Sequence, residues 1–391
     1  MRVRPIVCIN ALLLFPAAVS LYAGIRNALA RSQDLQWSGA HLTLQRIDPY
    51  SQFLKQDPKH SILFSQVPNY LHELYIFLLP LGALSFSHAK PIWALLNCLF
   101  AVLVVFLLGR IYALQASQAL LLLLLLLIST PCRIVLGAGQ QSLFELLLFC
   151  LVFYFTKPTA QGIALGVSYS KYSFSPVVFL YLFFRRQFRV LAISFIAPII
   201  GLLVMGFLVH RSPAPLSIEP LAVSRIGVAL GLADLMAITQ TVFHNILPES
   251  VIGKLMYAIA LLASGAYAFI LSRTNSPSPR KDAAAIAVAS LMFFTHLTYD
   301  YVFLAIPLAA ALSSFSSLRW AKTYVVAVVI LIWFGIKLVP IHLSTSAQLS
   351  MQLTIFLLLS GMLVLFTGDA LISQSGFTAS YTPDDLVEEV A

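Results

Sequence analysis

The sequence predicts an all-α polytopic membrane protein, and three observations carry that reading. Of its 391 residues, 60% are hydrophobic and only 10% charged, with a mean hydropathy of +0.90. Soluble domains carry about a quarter charged residues. Apolar segments long enough for a span, about 20 residues, recur along the chain, with runs such as Ala119 to Ile128 and Tyr324 to Phe334. The period-two alternation of a transmembrane β-barrel is absent.

In order, the apolar segments fall near 5–25, 69–87, 91–109, 117–130, 139–156, 160–184, 190–209, 251–272, 282–297, 301–317, 323–340 and 350–368. They predict about 12 spans, within 10–13. Arg2 and Arg4 precede the first, and Ala28-Leu29-Ala30 resembles a cleavage site. The apolar run is nevertheless long enough to cross, so it reads as an uncleaved span. The fourth segment is short and the sixth long, which fits a broken or tilted helix.

Orientation follows the basic residues. With twelve spans, Arg2, Arg4, the Arg185-Arg186-Gln187-Phe188-Arg189 run, Arg273, Arg280, Lys281, Arg319 and Lys322 share one side, read as cytoplasmic. Two long loops, 26–68 and 210–250, then face outward, the first carrying short interfacial helices. Residues 1–368 form one integral-membrane domain. Residues 369–391, with Asp384, Asp385, Glu388 and Glu389, read as an acidic, disordered cytoplasmic tail.

The net charge of +9 is spread over short loops. It suits an anionic lipid surface and is no nucleic-acid signal. Cys8, Cys98, Cys132 and Cys150 lack metal-ligand spacing and lie in or beside apolar segments. There is no phosphate-binding P-loop, dinucleotide fingerprint, His-Glu-x-x-His or nucleophile elbow. No cofactor or metal is expected.

Polar residues that do not belong in lipid mark the candidate chemistry. Asp34 opens the first outer loop among Gln33, Gln36, Trp37, His41 and Tyr50. Alone it reads as a solvated acid or a cap; in that company it reads as a general base beside a sugar, whose hydroxyls suit the polar groups and whose faces suit the rings. Asp48-Pro49-Tyr50 reads as a turn. Arg133 either snorkels to headgroups or binds a phosphate. Gln140, Gln141 and Ser142 open a helix after Gly137-Ala138-Gly139, where backbone N–H groups favour an anion. Twelve spans put that turn on the cytoplasmic side, away from Asp34. A working role there requires a different count or a re-entrant fourth segment. Glu145 is expected to pair inside the bundle. Lys171, in a Ser-rich stretch before Pro176, either reaches an interface or faces a lipid phosphate from a broken helix. His296, Tyr299 and Asp300 are placed to bind sugar hydroxyls or orient a phosphate, and His244-Asn245 is a weaker instance of the same pattern.

Taken in order, these residues resemble a known family. Asp34 is followed by aromatics, Gly39, Asp48-Pro49-Tyr50, Val67-Pro68-Asn69-Tyr70 and Leu79-Pro80-Leu81. Ala89-Lys90-Pro91-Ile92-Trp93, Asn97, Gly139-Gln140, Lys171 with Pro176, Arg185-Arg186 and His296 come next. The series is similar to the polyprenol-phosphate-mannose-dependent mannosyltransferases of glycosyltransferase family 87, in the GT-C superfamily, over residues 1–200 and more loosely 280–310. Gln141-Ser142 stands where the family commonly has an asparagine.

The two long outward loops make the outer face the working one, periplasmic in a bacterial inner membrane or lumenal in an endomembrane, and the resemblance implies a GT-C-type bundle. Asp34 would take the proton from an acceptor hydroxyl on a glycolipid or glycan. A polyprenyl-phosphate-linked sugar would be the donor, and Lys171, with Arg133 and His296, would meet the leaving phosphate. Gln36, Trp37, Tyr50, Tyr70, Gln140, Tyr299, Asp300, His244 and Asn245 would contact sugar or acceptor. Another lipid-linked sugar transferase or ligase, a lipid or sugar transporter, and a non-catalytic scaffold are the competing readings. A transporter would carry its decisive polar groups near the bilayer midplane, whereas most here crowd the outer loops.

Overall fold

The computed structural model describes residues 5–32, 35–55, 67–226, 232–274, 279–313, 319–335 and 344–378. Every regular element among them is helical. In chain order these are α1 (Pro5–Arg31), α2 (Trp37–Leu44), α3 (Pro49–Lys55), α4 (His72–Gly82), α5 (Phe86–Ile111), α6 (Ala116–Ile128), α7 (Thr130–Ala138), α8 (Ser142–Tyr154) and α9 (Pro158–Ser168). After the 3-10 turn Tyr169–Lys171 come α10 (Ser175–Phe184), α11 (Phe188–Ser194), α12 (Ile196–Leu208), α13 (Pro213–Leu216), α14 (Glu219–Ile226), α15 (Leu235–Phe243), α16 (Glu249–Arg273) and α17 (Pro279–Phe293). A second 3-10 segment, Thr298–Leu304, leads into α18 (Ala305–Leu312), α19 (Arg319–Gly335) and α20 (Thr345–Thr378).

The span count differs from the expectation of about twelve. Among the described residues five stretches are long and apolar enough to cross a membrane: α1, α5, the α11–α12 pair, α16 and the first part of α20. A sixth follows if α6 and α7 form one bent span. The other apolar segments are short helices. At 1.5 Å per residue, the 13-residue α8 covers about 20 Å against a hydrocarbon core of about 30 Å. Hydropathy cannot separate a helix buried in protein from one facing lipid. Residues Ala283 to Met292 of α17 and Tyr301 to Ala311 are buried almost without exception, and such all-round apolar helices form the interior of a large bundle. At the C-terminus, α20 runs to Thr378, into the segment expected as a disordered tail. The acidic residues Asp384, Asp385, Glu388 and Glu389 lie outside the described residues.

Two breaks position everything that follows. The poly-leucine α6 stops at Ser129, whose hydroxyl caps α7 by accepting from the Cys132 amide at 3.2 Å. Pro131 has no N–H for the Leu127 carbonyl four residues earlier, and Ser20 Oγ on α1 donates to that carbonyl at 2.8 Å. The chain bends by 61° there. α7 then ends in Gly139, at a φ of 72°, the left-handed terminus that glycine adopts without strain. The second break divides the expected 160–184 segment at Tyr169–Phe174, with Pro176 opening α10.

The two long loops are helical and meet each other. Loop 1 carries α2 and α3, as expected, and loop 2 carries α13, α14 and α15. Arg211 joins them through an ion pair with Asp48 and a 2.8 Å contact to Glu219. Asp48 also accepts from the Tyr50 amide at 3.0 Å, the turn its Asp-Pro-Tyr sequence predicts.

Candidate active site

The 3-10 turn between α9 and α10 brings Lys171 into the bundle. It is fixed to α4 by the Leu71 amide, which donates to the Ser170 carbonyl at 3.1 Å. The Lys171 ammonium pairs with Asp300 and donates to Ser142 Oγ at 3.1 Å. It lies 5.0 Å from the Tyr299 ring centre and 5.4 Å from that of Phe174, within cation–π range. The lysine side chain is 11% exposed and that of Asp300 3%. An ammonium has three N–H donors, and two are engaged among the described residues.

Asp300 is held from every side. Oδ1 accepts from Ser142 Oγ at 2.5 Å, and Oδ2 accepts from the Leu297 amide at 3.2 Å and faces His296 Nδ1 at 3.4 Å. Burial alone would raise the Asp300 carboxyl, but Lys171 and the His296 hydrogen bond hold it well below the usual carboxylate range. His296 is fully buried, its ring 4.1 Å from that of Phe174, which stacks on Phe303 at 3.7 Å. Its Nε2 faces the Ser290 carbonyl at 3.1 Å. Burial lowers the imidazole pKa, against the opposing pull of Asp300, and the ring stands between these two acceptors. This corrects the expectation of a phosphate contact from His296: it stands behind Asp300 and orients it.

Ser142 links this cluster to the first outer loop. It is the first residue of α8, three residues after Gly139. Gln141, next in the chain, donates from Nε2 to the Leu35 carbonyl at 2.9 Å. A Cβ on Gly139 would stand 3.1 Å from Leu35 Cβ. The Gly139–Ser142 turn therefore shares an end of the molecule with the start of loop 1, and the sequence reading that separated them is corrected. The 61° bend in the fourth apolar segment is the reason. Leu35 and Gln36 have φ of 42° and 61°, a strained pair of the kind that persists only where the surroundings over-determine it. Tyr75 Oη donates to Gln36 Oε1 at 3.0 Å, and Gln36 Nε2 donates to the Val67 carbonyl at 3.2 Å. Gln33 and Asp34, immediately before, lie outside the described residues.

A family model describing glycosyltransferase family 87 matches residues 74–295, more than half of the 391. The chain belongs to glycosyltransferase family 87. No curated protein and no solved structure matches it. The matched span of this family 87 glycosyltransferase holds Arg133, Gln140, Ser142 and Lys171 and ends one residue before His296. Asp34 and Asp300 lie outside it.

The remaining predicted residues divide by position. Tyr70 and Tyr299 stand at the cluster: burial first, then the neighbouring Tyr299 and Asp300, push the Tyr70 phenol well above its ordinary value, leaving a neutral hydroxyl. Gln140 is buried in the turn itself. Three loop-1 residues are framework instead. Trp37 is buried, donates from Nε1 to the Leu81 and Leu84 carbonyls at 3.0 Å each, and stacks on His41 at 4.5 Å. Tyr50 is fully buried and donates to the Tyr70 carbonyl at 2.7 Å. Gln36 spends its amide on Tyr75 and Val67, as above. Neither ring of Trp37 and Tyr50 is open to a sugar. Arg133, half-buried on α7, has no ion pair among the described residues. His244 and Asn245 are exposed at the far end of α15, about 15 Å along the helix from Asp234 at 1.5 Å per residue.

Sequence reasoning missed two supports. Ser142 bridges both partners of the ion pair. Asp234 caps α15 by accepting from the Ala237 amide at 2.8 Å and also accepts from the His296 amide at 3.3 Å, while the Leu232 amide donates to the His296 carbonyl at 3.0 Å. An Asp before Leu-Met-Ala was a readable N-cap signal; its second bond, 62 residues away in sequence, was not. Glu145 does pair inside the bundle, accepting from Ser170 Oγ at 2.5 Å.

Proposed function

We propose that this glycosyltransferase moves a sugar, mannose by its resemblance, from a polyprenyl-phosphate donor to a hydroxyl of a glycolipid or glycan at the outer face of a bacterial inner membrane. Asp34 takes the proton from the acceptor hydroxyl. That oxygen attacks the anomeric carbon, the bond from carbon to the phosphate oxygen breaks, and its electron pair leaves on the phosphate. Inversion of configuration requires base and leaving group on opposite faces of the ring. Lys171 donates its remaining N–H to the leaving phosphate oxygen in surroundings of low dielectric, where such a bond is worth more than in water, and Arg133 supplies the net positive charge that the Lys171–Asp300 pair lacks.

The observation that carries this reading is Lys171: a cation at a helix break, neutralised by Asp300, with one N–H donor beyond those it gives to Asp300 and Ser142. A phosphate oxygen completes that set. Tyr299, half-buried beside Lys171, then faces the sugar, with Tyr70 and Gln140 packed behind it. Arg133 is the second cation available to the phosphate. The strained Leu35–Gln36 pair supports Asp34 as base, because Gln141 ties the residue after Asp34 to the neighbour of Ser142.

The test is transfer from radiolabelled polyprenyl-phosphate-mannose in membranes carrying the wild type, Asp34→Asn or Lys171→Met at matched expression. Transfer by the wild type that both variants abolish is the expected result. Survival of transfer in Asp34→Asn removes Asp34 as base. A wild type inert with this donor but active with polyprenyl-phosphate-glucose or -arabinose corrects the sugar only, and inertness with all three overturns the donor class.

A further inference from the structure

A groove of about 270 Å³ runs between α4, α9 and the α11–α12 pair. That is near the lower end of ligand pockets, about 300 Å³. Ile76, Ile163, Ile193, Ile196 and Ile200 line it together with Glu73. Ile163, Ile196 and Ile200 are each about half exposed on a surface read as facing lipid, so the groove opens to the bilayer. Its floor is tight: a Cβ on Gly201 would come within 2.7 Å of the Glu73 amide nitrogen, so α12 lies directly on α4.

Glu73 is the anomaly. It is 7% exposed, and neither carboxyl oxygen has a hydrogen-bond partner elsewhere among the described residues; only its own amide is nearby. A buried carboxyl without a partner is costly. The N-terminal turn of α4 favours an acid there, but the helix supplies no bond to either oxygen. The groove is also close to the chemistry, since Leu71, two residues before Glu73, bonds to Ser170 beside Lys171.

Two arguments narrow the occupant. Lipid chains are as apolar as isoleucine, so burying a tail gains little from the hydrophobic effect, and selection rests on packing and on polar contacts. The polar group is a carboxyl with both oxygens open, which pairs with a hydroxyl in either protonation state and in its ionised form repels a phosphate. We propose that this groove holds the aliphatic chain of a lipid acceptor, and that Glu73 accepts a hydrogen bond from a hydroxyl of its headgroup. The acceptor would then be a hydroxyl-bearing lipid, not a free glycan, with the donor phosphate kept apart at Lys171. The inference rests on the transferase reading above, but its test requires no transfer.

The full-length protein is reconstituted in liposomes with either of two photoreactive probes sharing one diazirine-bearing dodecyl chain. One probe ends in glucose and the other in phosphate. Cross-links to α9 and α12 are mapped by mass spectrometry. The wild type should favour the glucoside by about fivefold, the scale of one hydrogen bond in a membrane. Glu73→Met should bring the ratio to about one, Glu73→Gln, which keeps a hydroxyl partner but adds N–H donors and loses the charge that repels a phosphate, should give a ratio between the two, and Ala197→Trp should remove both labels by filling the groove. Equal or stronger labelling by the phosphate probe in the wild type overturns the proposal, as does a ratio that Glu73→Met leaves unchanged. Loss of the preference with transfer from polyprenyl-phosphate-mannose intact would sink this inference alone. Preference without transfer would leave the lipid groove standing and sink the donor assignment.

Discussion

Replacing Lys171 with methionine separates the ion pair's role in folding from its role in transfer. The substitution leaves Asp300, 3% exposed, with the Ser142 hydroxyl and the Leu297 amide as its hydrogen-bond donors beside the His296 ring. Breaking a buried pair by removing one partner costs about 3–5 kcal/mol. The remaining donors put this case near the lower end, at about 3 kcal/mol. Asp300→Asn strands the ammonium instead and costs a similar amount. The double variant buries no charge and loses only hydrogen bonds, about 1–2 kcal/mol. The two substitutions are therefore coupled by about 4 kcal/mol. A chain of this size loses about 1–1.5 °C of Tm per kcal/mol, by extension of the trend for smaller domains. Each single variant should melt about 4 °C below the wild type in detergent, followed by tryptophan fluorescence, and the double variant about 2 °C below. A double variant that falls by the sum of the singles refutes the buried pair. All three should be inactive in transfer.

Other outcomes follow from the same geometry. Gly39→Ala places a Cβ 2.3 Å from the Tyr75 ring; it should cost about 1–3 kcal/mol as an overpacking change and lower the yield of folded protein after detergent extraction. Trp37→Phe removes the donor shared by the Leu81 and Leu84 carbonyls, so Tm should fall by the equivalent of about 1–3 kcal/mol while transfer per folded molecule stays within about twofold. His244→Ala with Asn245→Ala should leave both Tm and transfer unchanged. Burial raises the Asp234 carboxyl from 3.8 to about 7 in the folded protein, against the hydrogen bonds from Ala237 and His296. Its contribution to stability is full below about pH 4 and is lost as pH rises through about 7, on the order of 4 kcal/mol in total. The Tm difference between wild type and Asp234→Asn should shift in the variant's favour across that window and be flat above pH 8; no change with pH would contradict the buried carboxyl.

The membrane bundle, the helical long loops and the isolation of Lys171 are written in the sequence, because they depend on local properties. A 60% hydrophobic chain cannot be dissolved in water, Ser129-Thr130-Pro131 cannot continue a helix, and a lysine among serines before Pro176 marks a break wherever it falls. The family order of short motifs was legible for the same reason. Partnerships were not. Lys171 meets Asp300 across 129 residues and Ser142 meets it across 158, distances over which no sequence pattern reports. The number of long spans among the described residues differs from the expected count because hydropathy reads α8, α17 and α18 as it reads α5, although the first three are short and largely enclosed by protein. The side of the membrane assigned to the Gly139–Ser142 turn failed with it. A single proline, a serine cap and a 61° bend return α7 to the end of the molecule where Leu35 lies, and only the packed structure decides that direction. Trp37 and Tyr50 show the same limit: their amphipathic rings suit a sugar as well as a core, and tertiary contacts with α4, α5 and the Tyr70 carbonyl assign them to the core.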